Sequence, residues 1–304
     1  MDSVLECLPR GSRIAILRLR SLGDCVLTTP ALDILKRFRP DLRLAIFVED
    51  RFREIFEGNP DLAEIHPPEL AGLRRFRPQL CLNFHGGTRS AWMTELSGAR
   101  YRAGFGHYRQ QFVYNVQIPR AQEILRVDRT VHTAEHLASA MFFLGAPVCE
   151  IPRAKLFLTG SAPLTPEPPF AVIHAVAATA EKTGAPAHFV AVADYLKHSG
   201  MEPVFIGGPG DDLAAFRPYR TLQTSLSGVK SLLAAAALFV GNDSGPAHTA
   251  AAFGVPCVVI FGPSDPAIWG PWRTTGEAVS EPGGIGDVTA GQVLGALQRL
   301  RVPA

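Results

Sequence analysis

Short apolar runs alternate with longer amphipathic segments along most of the chain. Runs rich in Val, Ile and Leu predict buried strands, and segments with helical periodicity between them predict helices. The predicted strands are residues 13–17, 42–48, 80–84, 170–174, 203–207, 238–241 and 257–261. The predicted helices are residues 30–38, 131–144, 187–198, 229–236 and 245–253, with others near 211–216 and from about 288 to 301. This alternation predicts an α/β protein with parallel sheets covered by helices on both faces.

Local signals mark where some of these helices begin and end. Thr28 or Thr29 is predicted to cap the helix that starts at Pro30, because a hydroxyl before a proline is a common helix start. Gly145 is predicted to end the helix over residues 131–144, since glycine readily adopts the backbone conformation that follows a last helical turn.

A proline-rich stretch divides the alternating pattern into two halves. Residues 159–169 contain four prolines and no periodicity, which predicts a linker. We therefore expect one Rossmann-like domain over residues 1–158 and a second over residues 170–304. The helix at about 288–301 is expected to pack back on the first domain. Two such domains would place a ligand cleft between the carboxyl ends of their sheets.

Composition narrows the class of protein without identifying it. The 304 residues are 47% hydrophobic and 19% charged, which indicates globular domains and not a disordered chain. A net charge of +2 gives no general case for binding nucleic acid. The five cysteines are scattered without a C-x-x-C pair, which favours a reducing cytoplasm and no structural zinc. An acidic start and the absence of any apolar run of about 18 residues predict neither a signal peptide nor a membrane span.

Charge is distributed unevenly along the first half of the chain. Residues 71–131 contain ten arginines but only three acidic residues. This local excess predicts an anionic partner for the first domain, although a solvated arginine-rich face would give the same pattern. The arginines are Arg74, Arg75, Arg77, Arg89, Arg100, Arg102, Arg109, Arg120, Arg126 and Arg129.

The segment Gly241-Asn-Asp-Ser-Gly-Pro-Ala-His248 joins a predicted strand to an alanine-rich helix. Asp243 or Ser244 can cap that helix, and Pro246 fits its first turn. Unpaired backbone N–H groups and the helix dipole at such a junction bind phosphate, and His248 could add a donor. The alternative is an ordinary capped helix of an α/β sheet.

Two further groups could supply charge at the same edges of the sheets. In Ser21-Leu-Gly-Asp24, Gly23 would permit a tight turn after the first strand, leaving Asp24 as a candidate general base. The alternative is a turn or capping aspartate. Lys182 is the only lysine between Lys155 and Lys197, so it could place a point charge beside a phosphate. The alternative is a surface lysine.

One pattern suggests a different class of enzyme. His132-Thr-Ala-Glu-His136 matches the H-x-x-E-H arrangement in which two histidines on one helix face bind zinc. Five residues match easily by chance, and no downstream acidic ligand is evident. We therefore expect a surface or interdomain helix here, with a zinc hydrolase as the remote alternative.

Several of these segments together resemble glycosyltransferase family 9, the ADP-heptose:lipopolysaccharide heptosyltransferases. The likeness follows the order of the family's motifs over nearly the whole chain. The matching segments are Ser21-Leu-Gly-Asp24 with Thr28-Thr-Pro-Ala-Leu32, Leu82-Asn-Phe-His-Gly-Gly-Thr-Arg-Ser90, Gly98-Ala-Arg-Tyr-Arg-Ala-Gly-Phe105, Gly241-Asn-Asp-Ser-Gly-Pro-Ala-His248 and Phe261-Gly-Pro-Ser-Asp-Pro266.

The resemblance implies a GT-B fold, in which two Rossmann-like parallel-sheet domains face each other across a cleft. It implies an inverting transfer of heptose from ADP-heptose to a lipopolysaccharide inner-core acceptor, Kdo- or heptose-bearing lipid A, without a metal or other cofactor. The first domain would receive this anionic glycolipid and the second the nucleotide sugar. Such a protein would be cytoplasmic, with peripheral contact at the inner membrane and no nucleic-acid partner.

By the same resemblance, Asp24 matches the general base and Lys182 a catalytic lysine near the diphosphate. The nucleotide-sugar residues would be Thr179, Lys182, Asp243, Ser244, Gly245, Pro246, Ala247 and His248. The acceptor-binding residues would be Arg18, Ser21, Gly23, Arg89 and Arg102.

One segment departs from the family's usual pattern. Residues 174–186 read His-Ala-Val-Ala-Ala-Thr-Ala-Glu-Lys-Thr-Gly-Ala-Pro, where members usually have His-Pro-Gly-Ala-Ser and then Lys-Arg-Trp-Pro. Thr179 would supply the hydroxyl that the usual serine provides. The departure leaves three alternatives: a GT-B glycosyltransferase with another nucleotide sugar, a sugar-nucleotide epimerase, or a non-catalytic nucleotide-binding homologue.

Overall fold

The chain folds into two compact units, residues 1–157 and 158–304, which we call the first and second units. The computed structural model describes residues 3–159, 166–167, 169–177 and 179–300. The linker predicted over residues 159–169 lies largely outside these described residues. Each unit is built around a parallel six-stranded sheet.

The sheet of the first unit has the strand order β3-β2-β1-β4-β5-β6. All of its neighbouring strands run parallel, so their carboxyl ends meet at one edge. The strands are β1 (Arg13–Leu17), β2 (Arg43–Phe47), β3 (Glu64–His66), β4 (Leu80–Asn83), β5 (Tyr101–Phe105) and β6 (Val116–Ile118).

Helices cover the sheet of the first unit. They are α1 (Val4–Cys7), α2 (Leu22–Phe38), α3 (Leu70–Phe76), α4 (Thr88–Glu95), α5 (Ala121–Leu125) and α6 (Thr133–Leu144), with short 3₁₀ turns at Asp50–Ile55 and Gln111–Val113. Apolar side chains of α3 and α4 pack on Ala15 and Leu17 of β1, while α2 packs against α6. Helix α6 ends at Gly145, whose φ of 123° favours glycine, as predicted.

The start predicted for the second helix of the first unit is wrong. Helix α2 begins at Leu22, after Ser21, and continues through Pro30. Pro30 has no N–H to donate to the carbonyl of Val26, but the hydroxyl of Thr29 donates to that oxygen at 2.8 Å. The helix therefore tolerates the proline, and Gly23 lies buried in its first turn and not in a separate tight turn.

The second unit repeats the same topology. Its sheet has the order β12-β11-β10-β7-β8-β9, again all parallel. The strands are β7 (Phe170–His174), β8 (Glu202–Gly207), β9 (Arg220–Gln223), β10 (Leu238–Asn242), β11 (Cys257–Ile260) and β12 (Gly276–Val279). The helices are α7 (Pro186–His198), α8 (Leu226–Ala235), α9 (Gly245–Phe253), α10 (Pro266–Trp269) and α11 (Ala290–Leu300), with 3₁₀ turns at Ala180–Lys182, Ala214–Phe216 and Ile285–Asp287.

The prediction was most accurate for the central strands and least accurate at the edges of the sheets. Strands β1 and β7 and helix α9 have the predicted bounds. The helix predicted near 211–216 is only a 3₁₀ turn. The sequence did not predict β3, β5, β6, β9, β12, α1, α3, α4, α5 and α10.

Helix α11 packs within the second unit. It contacts α7, β11 and β12, and its Val293, Ala296 and Leu297 belong to the hydrophobic core that α7 also lines. Within the described residues, no helix combines the length and the apolar character that a membrane span requires.

Candidate functional site

Asp24 lies in the first turn of α2, the helix that follows the carboxyl end of β1. Its Oδ2 accepts hydrogen bonds from the hydroxyl of Ser21 at 3.0 Å and from the Ser21 backbone N–H at 3.4 Å. Its Oδ1 is 3.2 Å from Nη1 of Arg18. The Asp24 side chain is still 22% exposed. A carboxylate that is held in one orientation and stays accessible can act on a bound hydroxyl.

Arg18 is the buried cation that holds Asp24. It is only 5% exposed, and its Nε donates to the hydroxyl of Thr28 at 3.2 Å. That hydroxyl in turn donates to the backbone carbonyl of Asp24 at 2.8 Å. Arg18 is therefore fixed by α2 itself, and the charge that it places beside Asp24 keeps the carboxylate paired.

Three histidines lie close to this edge of the first sheet, and each has a pKa below its ordinary value. Burial lowers the pKa of His85, followed by the charge of Arg18. Burial also lowers the pKa of His107. The pKa of His136 falls to about 4, mainly through burial, and its ring stacks on Phe105 with 4.0 Å between centroids. All three rings are neutral at pH 7, so they add no positive charge to that of Arg18 beside Asp24.

The neutral state of His136 predicts a loss of stability in acid. The unfolded chain takes up a histidine proton below about pH 6.5, whereas folded His136 takes it up only near pH 4. Between these values the unfolded state binds more protons, so the free energy of unfolding should fall as the pH decreases. In His136→Phe, urea unfolding at pH 7 and pH 5 should show this fall reduced by about 2 kcal/mol.

A histidine outside this cluster provides the control for that measurement. His198 is exposed in the last turn of α7, so His198→Gln controls for the replacement of a histidine side chain outside the cluster. An unchanged pH dependence in His136→Phe would contradict the neutral, buried state of His136.

The other predicted acceptor residues lie in different places. Arg89 is exposed in the first turn of α4, and its Nη2 donates to the carbonyl of Pro68 at 2.6 Å. Arg102 is the second residue of β5, in the half of the strand away from the carboxyl edge, and its Nε contacts Glu95 at 3.1 Å. The structure thus brings Arg18 and Ser21 to Asp24 but leaves Arg102 apart from it.

In the second unit, the helix α9 begins at the carboxyl end of β10. Ser244 is its N-cap residue and Pro246 lies in its first turn, and no described side chain caps the helix. Pro246 has no N–H, and the N–H of Ala247 donates to the carbonyl of Ser244 at 3.1 Å, so Gly245 is the helical residue here whose N–H has no intrahelical acceptor. This N–H group and the helix dipole make the start of α9 a candidate anion site. The buried His248 lies in the same first turn, with its ring edge-to-face against Trp269 and 6.5 Å between the ring centroids.

Lys182 reaches the start of α9 from a 3₁₀ turn of another loop. Its Nζ donates to Oδ2 of Asp243 at 2.8 Å and to the hydroxyl of Ser264 at 2.8 Å. Asp243 is only 8% exposed, so the ammonium balances a carboxylate that is nearly buried. Lys182 is therefore held by two hydrogen bonds beside the junction of β10 and α9, and it is not an unpaired surface lysine.

The loop that carries Lys182 is pinned at both ends by Asn242. The Asn242 side chain donates to the carbonyl of Ala175 at 3.0 Å and accepts from the N–H of Gly184 at 3.1 Å. Gly262 supports the middle of the loop, because a Cβ there would lie 2.3 Å from the carbonyl oxygen of Glu181. The last residue of β10 therefore fixes the position of the loop.

Thr179 and His174 lie in the loop and in the strand that precedes it. Thr179 is exposed and starts the 3₁₀ turn, where its carbonyl accepts the N–H of Lys182 at 3.1 Å. His174, which was not predicted as a site residue, has Nδ1 at 3.1 Å from the hydroxyl of Ser244. Burial lowers the pKa of His174 to about 4, so its ring is neutral at pH 7.

Residues 72–285 match the sequence model of glycosyltransferase family 9 (heptosyltransferase). The chain belongs to this family. It is therefore a glycosyltransferase, as the sequence resemblance predicted.

Relatives of this family 9 glycosyltransferase agree with the match. Lipopolysaccharide heptosyltransferase 3 of Escherichia coli is 25% identical over 84% of this chain and 84% of its own length. The structure of a family 9 glycosyltransferase from Veillonella parvula is similar, with a TM-score of 0.80, 20% identity and coverage of 95% of this chain and 97% of that one. The E. coli ADP-heptose lipopolysaccharide heptosyltransferase II gives a TM-score of 0.76 at 20% identity, covering 95% and 98%. These similarities confirm the predicted GT-B fold.

The H-x-x-E-H segment has a structural role in this glycosyltransferase. His132 caps helix α6 by accepting the N–H of Ala134, and Glu135 binds Arg129 at 2.6 Å. The helix is buried against α2, so the prediction of a surface helix is wrong. Among the described residues, no three His, Cys, Asp or Glu side chains lie close enough together to hold a metal ion.

His174, Ser264, Asn242 and His85 were not predicted as site residues. Ser264 and His85 lie in segments that it quoted for the family resemblance, so their position after a strand was the available signal. Asn242 directly precedes Asp243 and could have been recognised by the same position at the carboxyl end of β10.

Proposed function

We propose that this family 9 glycosyltransferase transfers heptose from ADP-heptose to a lipopolysaccharide inner-core acceptor, Kdo- or heptose-bearing lipid A, with inversion and without a metal ion. The observation that carries the proposal is the placement of Lys182. Its ammonium lies 2.8 Å from Asp243, the residue before the N-cap of the uncapped helix α9. The names of the similar heptosyltransferases support the choice of donor and acceptor.

The second unit would bind the donor through its diphosphate. The backbone N–H groups of Ser244 and Gly245 would donate hydrogen bonds to phosphate oxygens. Ala247 and His248 lie in the same first turn of α9. When the glycosidic bond to the anomeric carbon breaks, negative charge develops on the departing ADP. Lys182 and the dipole of α9 would stabilise that charge. We also assign Asp243, Pro246 and Thr179 to this donor site.

The first unit would activate the acceptor. Asp24 would take the proton of an acceptor hydroxyl while its oxygen forms a bond to the anomeric carbon from the side opposite the leaving ADP. Ser21 and Arg18 would hold the carboxylate in place during this step. Gly23, Arg89 and Arg102 remain proposed acceptor residues on this unit.

The acceptor carries negative charge, and the arginine-rich residues 71–131 fit such a partner. We propose that the protein is cytoplasmic and meets its lipid acceptor by peripheral contact with the inner membrane. Anionic headgroups attract clustered arginines, and this attraction weakens as salt is added.

The first experiment measures the melting temperature of the full chain with ADP, UDP, GDP and CDP, each with and without Mg²⁺. A ligand that binds the folded state raises the melting temperature, because its stabilisation of that state grows with the logarithm of 1 + [L]/Kd. At about a hundredfold excess over Kd, ADP should raise it by about 5 °C, whereas the other nucleotides should raise it less. The ADP response should be the same with Mg²⁺ and with a chelator.

Each other result contradicts part of the proposal. A larger response to UDP, GDP or CDP would reject the ADP-heptose donor but keep a nucleotide-sugar transferase. A response to ADP that requires Mg²⁺ would reject metal-independent binding of the diphosphate. Product analysis without acceptor separates transfer from epimerisation, because only an epimerase would convert the donor in that mixture.

A further inference from the structure

Three large apolar side chains of the first unit are exposed side by side. Phe112 is 70% exposed, Trp92 is 48% exposed and Leu96 is 43% exposed. The rings of Trp92 and Phe112 meet edge-to-face, with 6.3 Å between their centroids. We call Trp92, Leu96 and Phe112 the aromatic patch. Exposed apolar residues that form a group, unlike single ones, mark a surface that meets another partner.

Helix α4 and a neighbouring 3₁₀ turn hold the side chains of the aromatic patch in place. Leu96 directly follows the last residue of α4 and lies four residues after Trp92, so the two side chains are on the same side of the helix. Phe112 comes from the 3₁₀ turn Gln111–Val113, which is joined to α4 by a hydrogen bond from the Gln110 amide to the Thr88 hydroxyl at 3.0 Å. The buried residues Ala91, Val113 and Tyr114 pack together beneath it.

Arginines surround the aromatic patch. Nε of Arg74 donates to the carbonyl of Leu96 at 2.8 Å, and Nε of Arg102 donates to the carbonyl of Val113 at 3.1 Å. Arg89 lies one turn before Trp92 on α4, and the exposed Arg109 precedes the 3₁₀ turn. Glu95, the acidic residue on the same helix, is paired with Arg102. The border of the patch is therefore positively charged.

We propose that the aromatic patch docks this protein on the surface of a bilayer that contains anionic lipids. Tryptophan and phenylalanine side chains partition into the headgroup region, while the neighbouring arginines bind lipid phosphates. Charge complementarity favours this occupant over a neutral apolar protein surface. The inference deepens the proposed function and rests on it, because the acceptor proposed above is a membrane lipid.

The position of α4 relates the docking surface to the candidate base. Helix α4 begins just after the loop at residues 85–87, which follows the carboxyl end of β4. His85 in that loop is close enough to Arg18 and Asp24 for both charges to affect its pKa. A membrane held at α4 would therefore contact the same unit that carries Asp24.

Vesicle co-sedimentation tests the docking surface. The full chain is mixed with vesicles of phosphatidylcholine alone, or of phosphatidylcholine and phosphatidylglycerol in equal parts, at low and at high salt. Binding should require phosphatidylglycerol and should weaken with salt. Trp92→Ser and Phe112→Ser should each lower the affinity for the mixed vesicles about tenfold.

Phe143→Ser is the matched control. Phe143 is 41% exposed on α6 and lies outside the aromatic patch, so its loss should leave vesicle binding unchanged. The double variant Trp92→Ser/Phe112→Ser is checked by its melting temperature and by its response to ADP. Vesicle binding that is equal in the double variant and the parent protein would overturn the proposal, as would equal binding to vesicles without phosphatidylglycerol.

A second measurement avoids dependence on the folding of the variants. Lipids brominated in their acyl chains quench tryptophan fluorescence on contact, and the chain has three tryptophans, Trp92, Trp269 and Trp272. Quenching should occur in the parent protein and be largely lost in Trp92→Phe. Quenching that is unchanged in Trp92→Phe would place another surface on the membrane and reject the aromatic patch.

The two proposals can fail separately. An ADP response without vesicle binding would reject the docking surface and keep the donor site. Vesicle binding without any nucleotide response would reject the proposed function and keep the docking surface. If the patch instead joins two copies of this chain, size-exclusion chromatography would show a dimer that the double variant abolishes, without vesicle binding, which also rejects the membrane.

Discussion

Asp24→Asn should lower kcat of heptosyl transfer by about a thousandfold, because an amide cannot accept the proton of the acceptor hydroxyl. The substitution preserves the size of the side chain and can keep a hydrogen bond from Ser21. The groups proposed for nucleotide binding belong to the second unit, so the melting-temperature response to ADP should stay as in the parent protein. Steady-state kinetics with ADP-heptose and a lipid A-type acceptor measure the loss.

Two further variants serve as controls for the loss of activity in Asp24→Asn. Asp50→Asn replaces an exposed carboxylate of the same unit, and its kcat should equal that of the parent protein. Ser21→Ala removes one donor to Asp24 but keeps the carboxylate, so its kcat should fall by only about tenfold. Turnover in Asp24→Asn within a few-fold of the parent protein would exclude Asp24 as the general base.

The second large effect is expected from Lys182→Met. Loss of the ammonium removes a fixed positive charge beside the proposed diphosphate, so kcat should fall by about a hundredfold or more. The melting-temperature response to ADP should also shrink, since the same charge binds the ground-state diphosphate. Calorimetric titration with ADP and steady-state kinetics give the two effects independently.

Lys182→Met also leaves Asp243 without its partner in a nearly buried position. This lowers stability for a reason unrelated to the donor. The double variant Lys182→Met/Asp243→Asn removes that carboxylate charge, so it should regain stability but not ADP affinity. Lys197→Met, an exposed lysine in the last turn of α7, is the matched control. Unchanged ADP affinity in Lys182→Met would show that Lys182 does not bind the phosphates.

The sequence predicted those parts of the fold that depend on continuous apolar runs. Strands β1 and β7 are central and buried, so hydrophobicity alone marks their bounds. Strands β3 and β6 are three residues long and lie at or near the end of a sheet, where no continuous apolar run is needed. Their pairing with the longer strands β2 and β5 creates them, and the composition of three residues does not indicate that pairing.

The error at α2 has a specific cause. Thr28-Thr29-Pro30 has the sequence of a helix start, but the chain uses it inside a helix. The hydroxyl of Thr29 replaces the hydrogen bond that Pro30 cannot donate, and the carbonyl of Val26 remains satisfied. A pattern of residue types cannot distinguish a hydroxyl that caps the start of a helix from one that donates to a carbonyl left unpaired by a proline inside the helix.

The candidate site was predictable where one motif carries its residues and not where several loops meet. Asp24 and the residues at the start of α9 were selected as candidates because each lies in the segment that follows a strand. The pairing of Lys182 with Asp243 and Ser264 joins three loops far apart in sequence, and no local pattern indicates it. Arg102 was chosen for its charge, but its position early in β5 directs it to Glu95.

The two hydrogen bonds of Asn242 explain how the segment that departs most from the family's pattern can still carry Lys182. Asn242 binds the backbone at Ala175 and Gly184, so it fixes the ends of the loop whatever side chains lie between them. The strand thus keeps both ends of the loop in place. The same property makes this loop an exchangeable segment for engineering, in which sequences from other glycosyltransferases could be grafted between two fixed ends to alter donor preference.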